Sequence, residues 1–160
     1  DAYKGGKIEM TLKYLNFNAK LLKVYEQFCA PLCKKYAINQ TGYDILLFLG
    51  MHPDHNTARD IRETCIIKSS LLSITIEKLI QAGYLLRRSD QKDRRVQRLI
   101  PTKSAKQIIE EGIILQERFE AAILQDMTEN DLQTFAILLN KILNTTNRLE
   151  HKGGQCNGCV

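Results

Sequence analysis

Between residues 57 and 103 two short helical patterns meet at a tight turn, and two strand-like runs joined by a polar tip follow at once, an order that leaves few folds open. Thr57-Ala58-Arg59-Asp60 has the spacing of a capping box, with Asp in place of the usual Glu or Gln. The helix it opens turns Ile61, Cys65 and Ile67 toward a core. After a brief turn, Ser69 or Ser70 can start a second helix that stops at Gly83. In that helix Leu72, Ile76 and Leu79 recur at i, i+4 and i+7 and face inward, while Ser70, Ser73, Glu77 and Gln81 take the opposite side. Residues 84 to 89 and 95 to 100 read as strands, with Asp90-Gln91-Lys92-Asp93-Arg94 as the hairpin tip. Pro101 and Thr102 end the ribbon and cap the next helix.

Charge follows the same boundaries. Residues 57 to 103 hold 11 Lys/Arg against 5 Asp/Glu, whereas the whole chain of 160 residues has a net charge of +5. All of the positive excess therefore sits in the helix pair and the ribbon. Surfaces that only need solvation mix their charges, whereas a segregated basic patch suits a polyanion whose counterions can be released.

Residues 11 to 36 contain no Gly and one late Pro, and they read as a helix with two apolar seams. Leu12, Leu15, Ala19 and Leu22 lead along one seam to Cys29, Cys33 and Tyr36; Tyr14, Phe17, Leu21, Val24 and Phe28 form the other. Both must be buried, and a second subunit is a natural cover. Thr41 can cap a helix from Gly42 to about Met51, whose run Ile45 to Leu49 is apolar enough to be core. Beyond Thr102 a long helix is expected to about Met127. Thr128-Glu129-Asn130-Asp131 then repeats the capping pattern before a striped helix carrying Leu132, Phe135, Leu139, Ile142 and Leu149.

A helix-turn-helix followed by a basic ribbon is a device for duplex DNA. The second helix fits the major groove, about 12 Å wide, and presents its N-terminal residues to base edges. The ribbon's guanidinium groups can enter a narrow minor groove or pair with phosphates. The candidate DNA-contacting residues are Thr57, Lys68, Ser69, Ser70, Ser73 and Lys78 on the helices, and Arg88, Lys92, Asp93, Arg94 and Arg95 on the ribbon, where Arg87 and Arg98 also stand.

Leu79 to Gly83, Tyr84-Leu85, Arg87-Arg88, the Asp-x-Arg of Asp93-Arg94-Arg95 and Pro101-Thr102 together resemble the MarR family of bacterial and archaeal transcription regulators. The resemblance runs over nearly the whole chain. It implies a mainly α winged helix-turn-helix protomer with a small two- or three-stranded β-wing, assembled as a triangular homodimer. The division it suggests is 10–40 as the N-terminal helix of the dimerisation region, 41–102 as the DNA-binding domain, 103–150 as the C-terminal dimerisation helices and 151–160 as a flexible tail. It further implies a salt bridge between Asp93 and Arg95, and minor-groove contact by Arg94 or Arg95. Regulators of this kind bind a pseudo-palindromic operator, commonly as repressors, and release it when a small anionic or phenolic molecule, an oxidant or a metal shifts the spacing of the two lobes. Two positions depart from the family: Ile74 stands where a basic residue is frequent, so a base contact is lost or replaced by apolar contact with a thymine methyl, and Ile66 stands where the helix-helix turn often has Gly.

The cysteines leave alternatives open. Cys29 and Cys33 lie one helical turn apart with Glu26 on the same seam; they can be small buried apolar groups, low-pKa thiolates that sense oxidants, or part of a soft-metal site. Cys156-Asn157-Gly158-Cys159 is a single C-x-x-C, half of a zinc site or a reversible tail disulfide, and it carries the rival reading of a thiol-based redox or metal-handling protein. His52 and His55 flank Pro53 as polar loop residues. No phosphate loop, nucleophile elbow or His-Glu-x-x-His pattern occurs, so the reading is a DNA-binding protein and not an enzyme, with no cofactor and no metal. With no apolar run of about 18 residues and no basic-then-apolar start, a cytoplasmic protein without membrane partners is expected.

Overall fold

The structure is a computed structural model that describes the backbone of residues 2–65 and 67–151 and the side chains of residues 13–65 and 67–149. Its elements are α1 (Ala2–Lys35), α2 (Gln40–Met51), α3 (Ala58–Cys65), α4 (Ser69–Gln81), β1 (Leu85–Ser89), β2 (Gln97–Pro101), α5 (Lys103–Leu124) and α6 (Glu129–His151). They fall into two compact units, Asp1–Phe119 and Glu120–Val160. Ile66 and the Cys156/Cys159 pair lie outside the described residues. Among the described residues, no helix is long and apolar enough to cross a membrane.

The first unit is built around α2. Tyr43, Ile45, Leu46 and Leu49 are fully or almost fully buried, as are Cys29 of α1, Ile61 of α3, Leu85 of β1, Leu99 of β2 and Ile108 of α5. A run of five apolar residues cannot sit on a surface helix, and here every face of α2 meets a neighbour. Each such Leu or Ile contributes about 1.5–3 kcal/mol when removed from water. α5 crosses α2 at Gly112, where an added Cβ would lie 3.0 Å from Tyr43 Cε2 and 3.3 Å from Leu47 Cδ1. The Tyr43 hydroxyl donates to the Gly112 carbonyl there, at 3.3 Å.

Local chemistry sets the boundaries, and several differ from those expected. α2 begins two residues earlier than Gly42 because Asn39, not Thr41, is its cap: the Asn39 Oδ1 accepts the Gly42 N–H at 2.8 Å. α1 begins well before residue 11 and ends in a Schellman arrangement, with the Ile38 N–H on the Cys33 carbonyl and the Ala37 N–H on the Lys34 carbonyl. Ala37 occupies the left-handed position at φ 52°, where an alanine costs about 1–2 kcal/mol relative to a glycine. α4 closes in the same way, but Gly83 takes the left-handed position at φ 77° and carries no such cost.

The ribbon is one antiparallel pair in the register Leu85↔Pro101 to Ser89↔Gln97, so Pro101 belongs to the second strand instead of ending it. An isolated antiparallel bridge joins Thr57 to Arg98, and the Leu99 N–H donates to the Asn56 carbonyl at 2.7 Å, which ties the start of the helix pair to the ribbon. The second strand opens at Gln97, two residues later than expected, because Val96 is held by the tip: its N–H donates to Asp93 and its carbonyl accepts from Asp90. Thr102 does not cap α5 with its hydroxyl, which donates to the Gly83 carbonyl at 2.7 Å and locks the end of the ribbon to the end of α4. α5 stops at Leu124, short of Met127.

In the second unit, Thr128 and Asp131 form the expected box at the start of α6: the Thr128 hydroxyl and N–H both donate to Asp131 Oδ2, and the Asp131 N–H donates back to the hydroxyl. α6 keeps its apolar side chains in water. Phe135, Ile137, Leu138, Leu139, Ile142, Leu143 and Leu149 are between 40% and 58% exposed.

Candidate nucleic-acid interface

The Thr57 box forms as its spacing requires. The Thr57 N–H and hydroxyl donate to Asp60 Oδ2 at 2.9 and 2.7 Å, and the Asp60 N–H donates to the hydroxyl at 3.2 Å. Thr57 is thus committed to capping α3, and its hydroxyl proton is already used.

α4 starts at Ser69 with Lys68 as its cap residue, and among the described residues no side-chain cap bond serves its first turn. Its leading N–H groups are therefore open to an anion. Leu72, Ile76 and Leu79 are buried, as the spacing predicts, together with Thr75. Lys68, Ser69, Ser70, Ser73 and Lys78 are exposed. The Ser73 hydroxyl donates to the Ser69 carbonyl at 3.0 Å, which leaves its oxygen as an acceptor only.

The ribbon's basic residues fall into two groups. Arg87 pairs with Glu77 at 2.7 Å, fastening β1 to α4. Arg98 pairs with Asp90 at 2.8 Å and donates to Asn56 Oδ1 at 3.0 Å. These two hold the ribbon in place. Arg88, Lys92, Arg94 and Arg95 are exposed and form no ion pair among the described residues.

The tip is organised by Asp90, a role that sequence reasoning missed. Its Oδ1 accepts the Lys92 N–H at 2.8 Å and the Asp93 N–H at 3.1 Å. The Lys92 N–H, the Arg98 guanidinium and the Asp93 N–H hold its carboxyl below the usual carboxylate range. The implied bridge between Asp93 and Arg95 does not form between side chains: Asp93 Oδ1 accepts the Arg95 backbone N–H at 3.0 Å, which shapes the turn and leaves the guanidinium outside. The short reach of Asp two residues ahead of the N–H favours this Asx turn.

A second polar constellation lies among α1, α2 and α5. Tyr25 and Gln40 donate to Asp44 Oδ1 at 3.1 and 2.9 Å, and Gln116 donates to the Tyr25 and Tyr43 hydroxyls at 2.6 and 3.2 Å. Among the described residues, no cation hydrogen-bonds to this network. Burial pushes the Asp44 carboxyl above its usual range and pushes the Tyr43 phenol up to about 12. A carboxyl whose folded-state pKa is raised contributes stability below its unfolded value and loses it as the pH climbs through the folded one. Asp44→Asn is thus expected to raise the melting temperature at neutral pH and to shrink the stability lost as the pH climbs above the ordinary carboxylate range, as measured by thermal denaturation from acid to neutral pH.

Cys29 and Cys33 are buried, and the Cys33 thiol lies 3.9 Å from Gln40 Oε1. Burial raises the Cys29 thiol, and burial with Cys29 and Asp44 nearby pushes Cys33 up to about 11. Both thiols lie in the core, where burial disfavours the thiolate. Among the described residues, no three His, Cys, Asp or Glu side chains converge as a metal site. His52 stacks on Phe48 at 4.9 Å, with its Nδ1 3.2 Å from the Phe48 carbonyl oxygen.

The order α2, α3, turn, α4 and paired ribbon defines a winged helix-turn-helix protein. Residues 38–96 match the family model described as MarR family. A MarR protein from Peptoclostridium difficile has a similar fold at a TM-score of 0.77 and 19% identity, covering 87% of this chain and 90% of that one. A MepR from S. aureus, solved as a DNA complex, matches at 0.73 and 19% identity over 86% of this chain and 98% of that one. An organohalide-sensing transcriptional regulator in its 2,4-dichlorophenol-bound form matches at 0.70 and 16% identity over 89% and 84%.

Proposed function

We propose that the chain is a DNA-binding transcriptional regulator acting as a homodimer, with 41–102 as the DNA-binding domain and 10–40 and 103–150 supplying the dimerisation helices. The observation that carries the reading is the sorting of the ribbon's charges: Arg87 and Arg98 are spent on internal ion pairs, whereas Arg88, Lys92, Arg94 and Arg95 are left to solvent beside an uncapped, serine-lined α4. That pattern suits phosphate contact by the ribbon and base-edge contact by α4. The DNA complex of the similar MepR supports it.

Dimerisation is supported by the large apolar side chains left in water on α6, and by Tyr14, Leu15, Phe17 and Leu22 of α1 at 55–62% exposure. Two α4 helices related by a twofold axis read a pseudo-palindrome whose half-sites lie about 34–36 Å apart. The protein represses when its operator overlaps a promoter.

A small-molecule effector fits the chain better than an oxidant, since Cys29 and Cys33 are shielded. A cleft of about 520 Å³ between α1 and α5, lined by Phe28, Leu32, Ile114 and Leu115 with Lys35, Glu111 and Arg118, suits an apolar acid or a phenol. The phenol bound by the similar organohalide sensor agrees with that chemistry. The test is a fluorescence anisotropy titration of the purified chain with duplex DNA over a range of salt concentrations. Binding that weakens steeply with salt is expected; absence of any salt-sensitive binding rejects the reading.

A further inference from the structure

We propose that the outward face of α4 selects A·T base pairs by packing Ile74, with Leu71 beside it, against thymine 5-methyl groups in the major groove. The inference rests on the DNA-binding reading above and names the bases which that reading requires.

Successive residues of a helix are turned by about 100°. Leu72, Ile76 and Leu79 mark the buried line of α4, each at 2–3% exposure. Half a turn around lies a line that runs from Ser70 through Ile74 to Glu77 and Gln81. Ile74 thus stands at the centre of the solvent face, 54% exposed, with Leu71 at 44% on its flank. A helix that has already buried one apolar line gains nothing in water from a second. This face is also bordered by the exposed cations Lys68 and Lys78, which suit an anionic partner and not an apolar protein surface.

Base edges in the major groove are polar, with one exception: the thymine methyl is the apolar group they present. No Arg, Lys, Asn or Gln occurs between Lys68 and Lys78, so the part of α4 nearest its N-terminus holds no side chain for bidentate pairing with guanine or adenine. What remains is apolar contact plus hydroxyls. Ser73, whose proton is held by the Ser69 carbonyl, offers its oxygen as an acceptor for the adenine amino group one base pair away.

The full chain is first used to select a binding sequence from a randomised duplex pool. Each thymine of the selected duplex is then replaced by deoxyuridine, which deletes only the methyl, and affinities are read by anisotropy. Loss of about fourfold per contacted methyl is expected. Ile74→Ala should weaken the thymine duplex by a similar factor and make the two duplexes equal, while Ile74→Val, which keeps a branched apolar side chain, preserves the preference. Arg94→Ala should weaken both duplexes alike. Equal affinity of the wild-type chain for thymine and uracil at every position overturns the proposal while leaving DNA binding intact. A changed sedimentation coefficient for Ile74→Ala with an unchanged thymine preference also overturns it, since the face would then serve a second copy. Failure to enrich any duplex removes the DNA-binding reading itself.

Discussion

Exchanging Arg94 and Arg95 together for alanine is expected to weaken duplex binding on the order of tenfold to thirtyfold at physiological salt and to flatten the salt dependence by about two units of slope. Both side chains are exposed and without ion pairs among the described residues, so each is free to displace a condensed counterion from a phosphate. Neither contributes a side chain to the tip, which is held by Asp90 and by the backbone of Lys92, Asp93 and Arg95. Circular dichroism of the double variant should therefore match the wild type. Arg87→Ala is the control: its guanidinium is occupied by Glu77, and its loss should leave the slope nearly unchanged. Anisotropy titrations at several salt concentrations measure both, and an unaltered slope in the double variant would show that Arg94 and Arg95 do not contact phosphate.

Leu139→Glu combined with Ile142→Glu is expected to give a monomer whose affinity for a two-half-site duplex falls on the order of a hundredfold. Leu139 is 40% exposed and Ile142 54% exposed, on a helix that buries no large side chain among the described residues. Water tolerates scattered apolar groups but not a helix-long stripe of them. Two carboxylates placed in such a seam must be desolvated without partners, which costs several kcal/mol per ion. Sedimentation equilibrium separates the outcomes: a wild-type chain that is already monomeric rejects the dimer, and a variant that remains dimeric moves the seam elsewhere.

The parts of the fold that were legible in the sequence depend on neighbours close in the chain. Leu72, Ile76 and Leu79 announce the inner line of α4, and the boxes at Thr57 and Thr128 close within four residues, so period and spacing suffice. The start of α2 is not legible from spacing alone because Asn39 and Thr41 are both able caps two residues apart, and only the backbone path into the helix decides between them. At the interface, composition identified the basic ribbon but could not sort its arginines. The partners of Arg87 and Arg98 depend on strand register and on how β1 meets α4, which a charge count does not contain. The Asp44 network was further out of reach, since Tyr25, Asp44 and Gln116 meet only when three helices assemble. Its one local signal was a carboxylate directly before the most apolar run in the chain.

The bonds that Asp90 makes to Lys92, Asp93 and Arg98 mean that the basic finger has its shape before any duplex arrives. A surface built in advance loses little conformational freedom on docking, so capture is limited by diffusion and orientation. Long-range attraction by the unpaired guanidinium groups then sets the pace of encounter, and the association rate constant inherits the ionic-strength dependence of a steered collision.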